Sequence, residues 1–163
     1  MTPLPQVFLD RPFAHRGLHD PSQGRIENAR ASFDAAVAAG YGIELDVQMS
    51  RDGVPVVFHD YTLDRLTALS GPVRDRSADE LAGIPLRGSD DTIDTLQDVL
   101  ERIGDAAPVL VEIKDQTHLP GAEIASLDQV TGRVAVRSTR GVTFEGDVVG
   151  NLARDGFFFG RPD

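Results

Sequence analysis

Residues 43–60 read IELDVQMSRDGVPVVFHD. Two apolar runs flank an Asp52-Gly53 pair, the signal of a two-residue hairpin whose type I′ turn needs positive φ at both central positions. Yet Glu44, Asp46 and His59 stand where a packed sheet would carry Val or Ile. Because side chains alternate between faces, Ile43, Leu45, Val47 and Met49 share one side, and Glu44, Asp46 and Gln48 share the other. With Arg51 paired to Val54 across the turn, Asp46 falls opposite His59, Val47 opposite Phe58 and Met49 opposite Val56. Pro55 lacks an N–H, which predicts an edge position for the second arm. Opposed residues share a face with Cβ atoms about 5 Å apart, so this register gathers Glu44, Asp46 and His59 into one polar patch.

Outward from this stretch the pattern changes period. NARASFDAAVAAG, 28–40, predicts a helix with Asn28 as N-cap, Phe33, Ala36 and Val37 on one face and Gly40 as its stop. SADELAG, 77–83, opens on a Ser77/Glu80 capping box, and TLQDVLERIG, 95–104, runs from Thr95 to Gly104. Strands are expected at 43–49, 54–59, 108–114 and 133–138, with a short one near 13–16 and part of a helix at SLDQV, 126–130. Strands alternating with helices predict an α/β domain with a largely parallel sheet. In such a sheet both strand faces are covered, so the polar side of 43–49 would line a barrel mouth rather than meet bulk water.

The chain has 163 residues, enough for one packed domain and too few for two ordinary ones. With no cysteine, disulfides, thiolate metal sites and cysteine nucleophiles are excluded, and any metal must sit on oxygen or imidazole. A formal charge of −10 argues against nucleic acid as a partner, since a polyanion would be repelled. No apolar run approaches the roughly 20 residues of a membrane span. The N-terminal MTPLPQVFLDRPF lacks the pattern of a secretory signal, from which a cytoplasmic location is expected.

Glu44 and Asp46, two apart on a strand, aim two oxygen ligands the same way, and Glu112 on the strand PVLVEIKD, 108–115, is the obvious third. Hard oxygen donors suit Mg²⁺ or Ca²⁺. Clustered carboxylates would otherwise repel and raise one another's pKa values, unless Lys114 or an arginine neutralises them in an ion-pair network. His15, in FAHRGLHD, and His59 can serve as general acid and base near neutral pH, and Arg16 offers a donor fork to a phosphoryl oxygen. His19 and His118 are read as structural.

Taken in order, AHRG at 14–17, IEN at 26–28 followed by SF and an alanine-rich helix, IELDV with DG-PVVFHD at 43–60, TL-DVL at 95–100 and VEIK at 111–114 resemble the glycerophosphodiester phosphodiesterase family. The resemblance implies a TIM barrel that hydrolyses glycerophosphodiesters to glycerol 3-phosphate and an alcohol with a divalent cation. It implies His15 and His59 as the acid/base pair and Glu44, Asp46 and Glu112 as metal ligands. Arg16 and Lys114 would contact the phosphate, and Glu27 would support the metal or the glycerol hydroxyl. Where the family carries Pro-Glu-Asn-Thr this chain has Ile26-Glu27-Asn28-Ala29, which keeps Glu27 and leaves Asn28 both helix cap and site residue.

A full barrel of eight strand-helix units takes about 250 residues. This chain is therefore expected to form a TIM-barrel-like domain of about five units: 1–115 the well-matched catalytic half, 116–163 a divergent or truncated tail. FFF at 157–159 needs a cover. A shortened or rearranged chain is favoured over a partial one, or over an open barrel whose sheet edges a second copy covers as a homo-oligomer. Two functions follow: an active metal-dependent phosphodiesterase, or a non-catalytic remnant or phosphate-binding module that keeps the motif. A structural protein without ligand would make the motif run coincidence.

Overall fold

The structure, a computed structural model, describes residues 6–114 and the strand backbones 134–138 and 159–160. Its strands are β1 (Phe13–Ala14), β2 (Gly42–Met49), β3 (Pro55–Val57), β4 (Val109–Ile113), β5 (Val134–Ser138) and β6 (Phe159–Gly160). The helices are α1 (Arg30–Ala38), α2 (Ala78–Ala82) and α3 (Leu96–Ile103). In space the order is β1-β2-β4-β5-β6 with every pair parallel, and β3 joins β2 antiparallel. This is the predicted α/β architecture, a partial parallel sheet with helices that corresponds to an incomplete barrel. β5 is the strand expected at 133–138 in the tail, whereas β6 is one the sequence reading did not assign; 126–130, His118 and the side chains of 157–159 fall outside the described residues.

Both faces of β2 are buried along its whole length. Ile43, Leu45, Val47 and Met49 pack with Val109, Val111 and Ile113 of β4 beneath Phe33 and Ala36 of α1 and Leu96, Val99 and Ile103 of α3. A second cluster holds Val56, Phe58, Leu63, Val73, Leu81, Leu86 and Ile93. Fully burying one such side chain contributes roughly 1.5–3 kcal/mol, so these layers hold the sheet in place. The other face of β2 carries Glu44, Asp46 and Gln48, all buried, as the barrel argument required.

The helix signals hold with one exception. Ser77 and Glu80 form the reciprocal capping box of α2 (Glu80 N–H to Ser77 Oγ 3.2 Å, Ser77 N–H to Glu80 Oε2 2.7 Å). Thr95 Oγ1 accepts from Asp98 N–H at 3.1 Å to start α3. Gly40 (φ +74°) ends α1 in a Schellman motif: its N–H meets Val37 O and that of Tyr41 meets Ala36 O, both at 3.0 Å. Asn28 is not the cap. The N-cap of α1 is Ala29, the orphan Ala31 N–H is taken by Asp91 Oδ2 at 2.9 Å, and Asn28 is committed elsewhere.

The hairpin register is also corrected. Val47 pairs with Val57, Gln48 with Val56 and Met49 with Pro55, one position from the expected register. Of the turn residues only Gly53 has positive φ (+78°), so no type I′ turn forms. Ser50 and Val54 close a three-residue loop instead (Ser50 N–H to Val54 O 3.0 Å, Gly53 N–H to Ser50 O 3.1 Å), the alternative in which one αL glycine follows a type I turn. Asp52 spends its carboxylate on Ser50 Oγ (2.6 Å) and Ala78 N–H (2.9 Å). Phe58, not His59, therefore faces Asp46, its N–H donating to Asp46 O at 3.0 Å. Among the described strands, the arm that carries Pro55 pairs with β2 alone, its far side bridged by Thr95 to Val56. Among the described residues no helix is long and apolar enough to cross a membrane.

Candidate active site

β1 delivers its chain directly into the site. Beyond Ala14 the backbone turns tightly, Gly17 N–H donating to Ala14 O at 3.2 Å, and Arg16 takes φ +57°. Positive φ is costly for a residue with a Cβ and clusters where structure over-determines it. Here Arg16 N–H donates to Glu44 Oε2 at 2.9 Å and Arg16 O accepts from Asn28 N–H at 2.9 Å. Asn28 is also left-handed (φ +56°), a conformation asparagine tolerates. Its amide clasps Asp46 from both sides: Nδ2 donates to Asp46 Oδ2 at 2.9 Å, and Asp46 N–H donates to Asn28 Oδ1 at 3.2 Å. Asn28 thus fixes a carboxylate in a wall that a helix cap would never reach.

The parallel register sets Glu112 of β4 beside Asp46 of β2. Neighbouring strands run about 4.8 Å apart, and oxygens of Glu44, Asp46 and Glu112 lie within 4.8 Å of one another. Lys114 Nζ bridges Asp46 Oδ1 (2.7 Å) and Glu112 Oε1 (2.8 Å). The ion-pair alternative is therefore realised in part, with one ammonium on two of three carboxylates. Burial opposes the charged form of Lys114, but those hydrogen bonds hold its pKa above the ordinary value. At Glu44 burial prevails: it pushes the carboxyl up, the Arg16 N–H resists, and the Asp46 charge adds to the rise. Arg16 Nε is buried 3.3 Å from Asp46 Oδ2 without a hydrogen-bond partner. Three hard oxygen donors with incomplete compensation fit a divalent cation.

A second group, Glu27, His59 and Asp60, is equally compact, but its charges are already met. Arg65 pairs with both carboxylates; its hydrogen bonds hold Glu27 and Asp60 down at about 2, against the desolvation that would raise them. The contrast with Glu44 separates a candidate cation site from an internal ion-pair network. His59 Nδ1 lies 2.8 Å from Asp60 Oδ1, so a ring that donates there presents Nε2 outward. Gln48 Nε2 holds this loop by donating to Phe58 O (2.9 Å) and Asp60 O (2.7 Å). His15, with a side chain 69% exposed, stands 4.0 Å from Glu44. Arg16 is common to both groups, its NH1 reaching Glu27 Oε1 at 2.9 Å. His19 is exposed and takes no part in either group.

The sequence-predicted residues are thus sorted rather than pooled. His15 joins the carboxylates, His59 joins Glu27, and Arg16 spans the two. Sequence reasoning missed Gln48, Asp60 and Arg65. Asp60 adjoins His59 in the opening stretch, a signal that was available; Arg65, in an aperiodic loop, left none.

The sequence profile of the Glycerophosphoryl diester phosphodiesterase family matches residues 15–149. A glycerophosphodiester phosphodiesterase of Caldanaerobacter subterraneus subsp. tengcongensis is 42% identical over 119 residues, 68% of this chain and 48% of that protein. The structure of an Oleispira antarctica phosphodiesterase in complex with the product sn-glycerol-3-phosphate superposes with a TM-score of 0.71 at 26% identity, covering 91% of this chain and 64% of that one. For a glycerophosphodiester phosphodiesterase from Thermotoga maritima the TM-score is 0.63 at 29% identity, covering 90% and 59%. The chain spans about half the length of the curated relatives it matches.

Proposed function

Because this chain belongs to the glycerophosphoryl diester phosphodiesterase family, we propose that it hydrolyses glycerophosphodiesters to glycerol 3-phosphate and an alcohol. The observation that supports this most is the convergence of Glu44, Asp46 and Glu112 beside His15 and Arg16. That a similar phosphodiesterase holds sn-glycerol-3-phosphate favours the same class of small-molecule substrate.

Glu44, Asp46 and Glu112 would hold a divalent cation, Mg²⁺ or Ca²⁺, whose chemistry is to draw charge from the phosphoryl oxygens. Arg16 presents a positive fork beside this group and, with Lys114, binds the phosphodiester, compensating charge that develops on it. Asn28 keeps the Asp46 carboxylate aimed, and Glu27 keeps the Arg16 guanidinium aimed. His15 and His59 are the proton carriers. One takes the proton of the attacking hydroxyl and the other gives a proton to the departing alcohol. Asp60 fixes the His59 ring by its Nδ1, which leaves Nε2 for that transfer.

Hydrolysis of glycerophosphocholine, assayed with and without Mg²⁺ or Ca²⁺, tests the reading. The expected result is turnover that needs the cation and falls about 10²-fold or more in His15→Ala and in His59→Ala. Cation-dependent binding of substrate without turnover would replace it with the second reading, a phosphate-binding module that keeps the motif.

A further inference from the structure

Arg65 lies on none of the elements named above and has no role in the proposed chemistry, yet it makes four hydrogen bonds to two carboxylates. Nε and NH2 grip Asp60 (2.6 Å to Oδ2, 2.9 Å to Oδ1), while NH1 and NH2 grip Glu27 (2.8 Å to Oε2, 2.7 Å to Oε1). Each carboxylate passes the contact on through the oxygen it shares with Arg65 NH2. Asp60 Oδ1 faces His59 Nδ1 at 2.8 Å, and Glu27 Oε1 accepts from Arg16 NH1 at 2.9 Å. A continuous chain therefore runs from the imidazole through Asp60, Arg65 and Glu27 to the guanidinium beside Asp46.

We propose that Arg65 is a positioning residue that sets two separate working groups at once, holding Asp60 against His59 and Glu27 against Arg16. The proposal deepens the phosphodiesterase reading and rests on it. Only a planar fork with five donors can serve two carboxylates edge-on; an ammonium is a point charge and cannot. Because the Arg65 side chain is 46% exposed, solvent screens its ion pairs and leaves them only a modest share of global stability. Its value lies in geometry. Without the guanidinium, Asp60 is free to leave Nδ1, and the ring loses the acceptor that fixes its Nδ1–H tautomer.

Arg65→Gln and Arg65→Lys in the full chain test this by two readouts. In glycerophosphocholine hydrolysis, kcat should fall about 10²-fold in both, the cost of misplacing a reacting group by about 1 Å. The Mg²⁺-induced thermal shift should stay unchanged, because Glu44, Asp46 and Glu112 are untouched. In NMR, the His59 imidazole nitrogen signals, identified by their loss in His59→Ala, should show one dominant Nδ1–H tautomer of the neutral ring in the parent chain and a mixture in Arg65→Gln. The tautomer readout needs no turnover, so it judges Arg65 even if the parent chain hydrolyses nothing. An unchanged His59 tautomer ratio in Arg65→Gln would overturn the proposal. So would wild-type kcat and tautomer ratio in Arg65→Lys, since charge alone would then suffice. Should Arg65→Gln fail to fold, marginal global stability would be what Arg65 supplies, and the proposal falls as well.

Discussion

Single side chains in this protein are placed by what they hold rather than by the element that carries them. Asn28 follows an N-cap spacing in the sequence, but its amide is spent on Asp46 and its backbone is left-handed. Glu27 and Asp60 show the same principle electrostatically. Paired with Arg65, they are held at about 2, below the ordinary 4.5 and 3.8. On acidification the unfolded chain takes up these protons first, so the stabilisation they provide is intact above about pH 5 and is lost as pH falls from about 4.5 towards 2. Glu27→Gln should therefore lower the urea midpoint at pH 7 and differ little from the parent near pH 2.5. A gap that is constant with pH would show that Glu27 titrates as an unpaired carboxylate.

At the scale of elements, the hairpin decides which face His59 meets. A two-residue turn would have placed the imidazole against Asp46, but the three-residue loop shifts the register by one and puts Phe58 there. A one-residue slip exchanges the faces of every side chain beyond it. The loop forms because Ser50 closes it twice, by backbone and by Oγ (Val54 N–H to Ser50 Oγ 2.9 Å), and because Asp52 is drawn to the start of α2. Gly53 is its one left-handed residue, and a Cβ added there would meet nothing within 4 Å. Gly53→Ala should cost about 1 kcal/mol from backbone strain alone, read as a lower urea midpoint with an unchanged slope. A neutral result would mean that the loop can adopt another turn.

Over the whole molecule the parallel sheet converts scattered motifs into a site: β1, β2 and β4 bring His15, Asp46 and Glu112 to one surface although nearly a hundred positions separate the first from the last. Burial of Glu44 beside Asp46 raises its pKa, so its charge opposes folding in the cation-free protein. Glu44→Gln should leave cation-free thermal stability equal or higher while abolishing the shift on adding Mg²⁺ or Ca²⁺; a retained shift would move the cation to other ligands. What the sequence determined unaided was local. Helix caps at Ser77 and Thr95, the stop at Gly40 and the two-faced pattern of β2 are set by interactions within a few residues, and they are legible as spacing. The carboxylate set was legible too, because a period of two aims Glu44 and Asp46 alike and Glu112 sits in a similar strand. Three things only the tertiary structure decided: the hairpin register, the αL commitment of Asn28 and the Arg65 network. Each depends on partners brought together across strands and loops, where a competing hydrogen bond or charge outweighs local propensity by an amount that no run of neighbouring residues records.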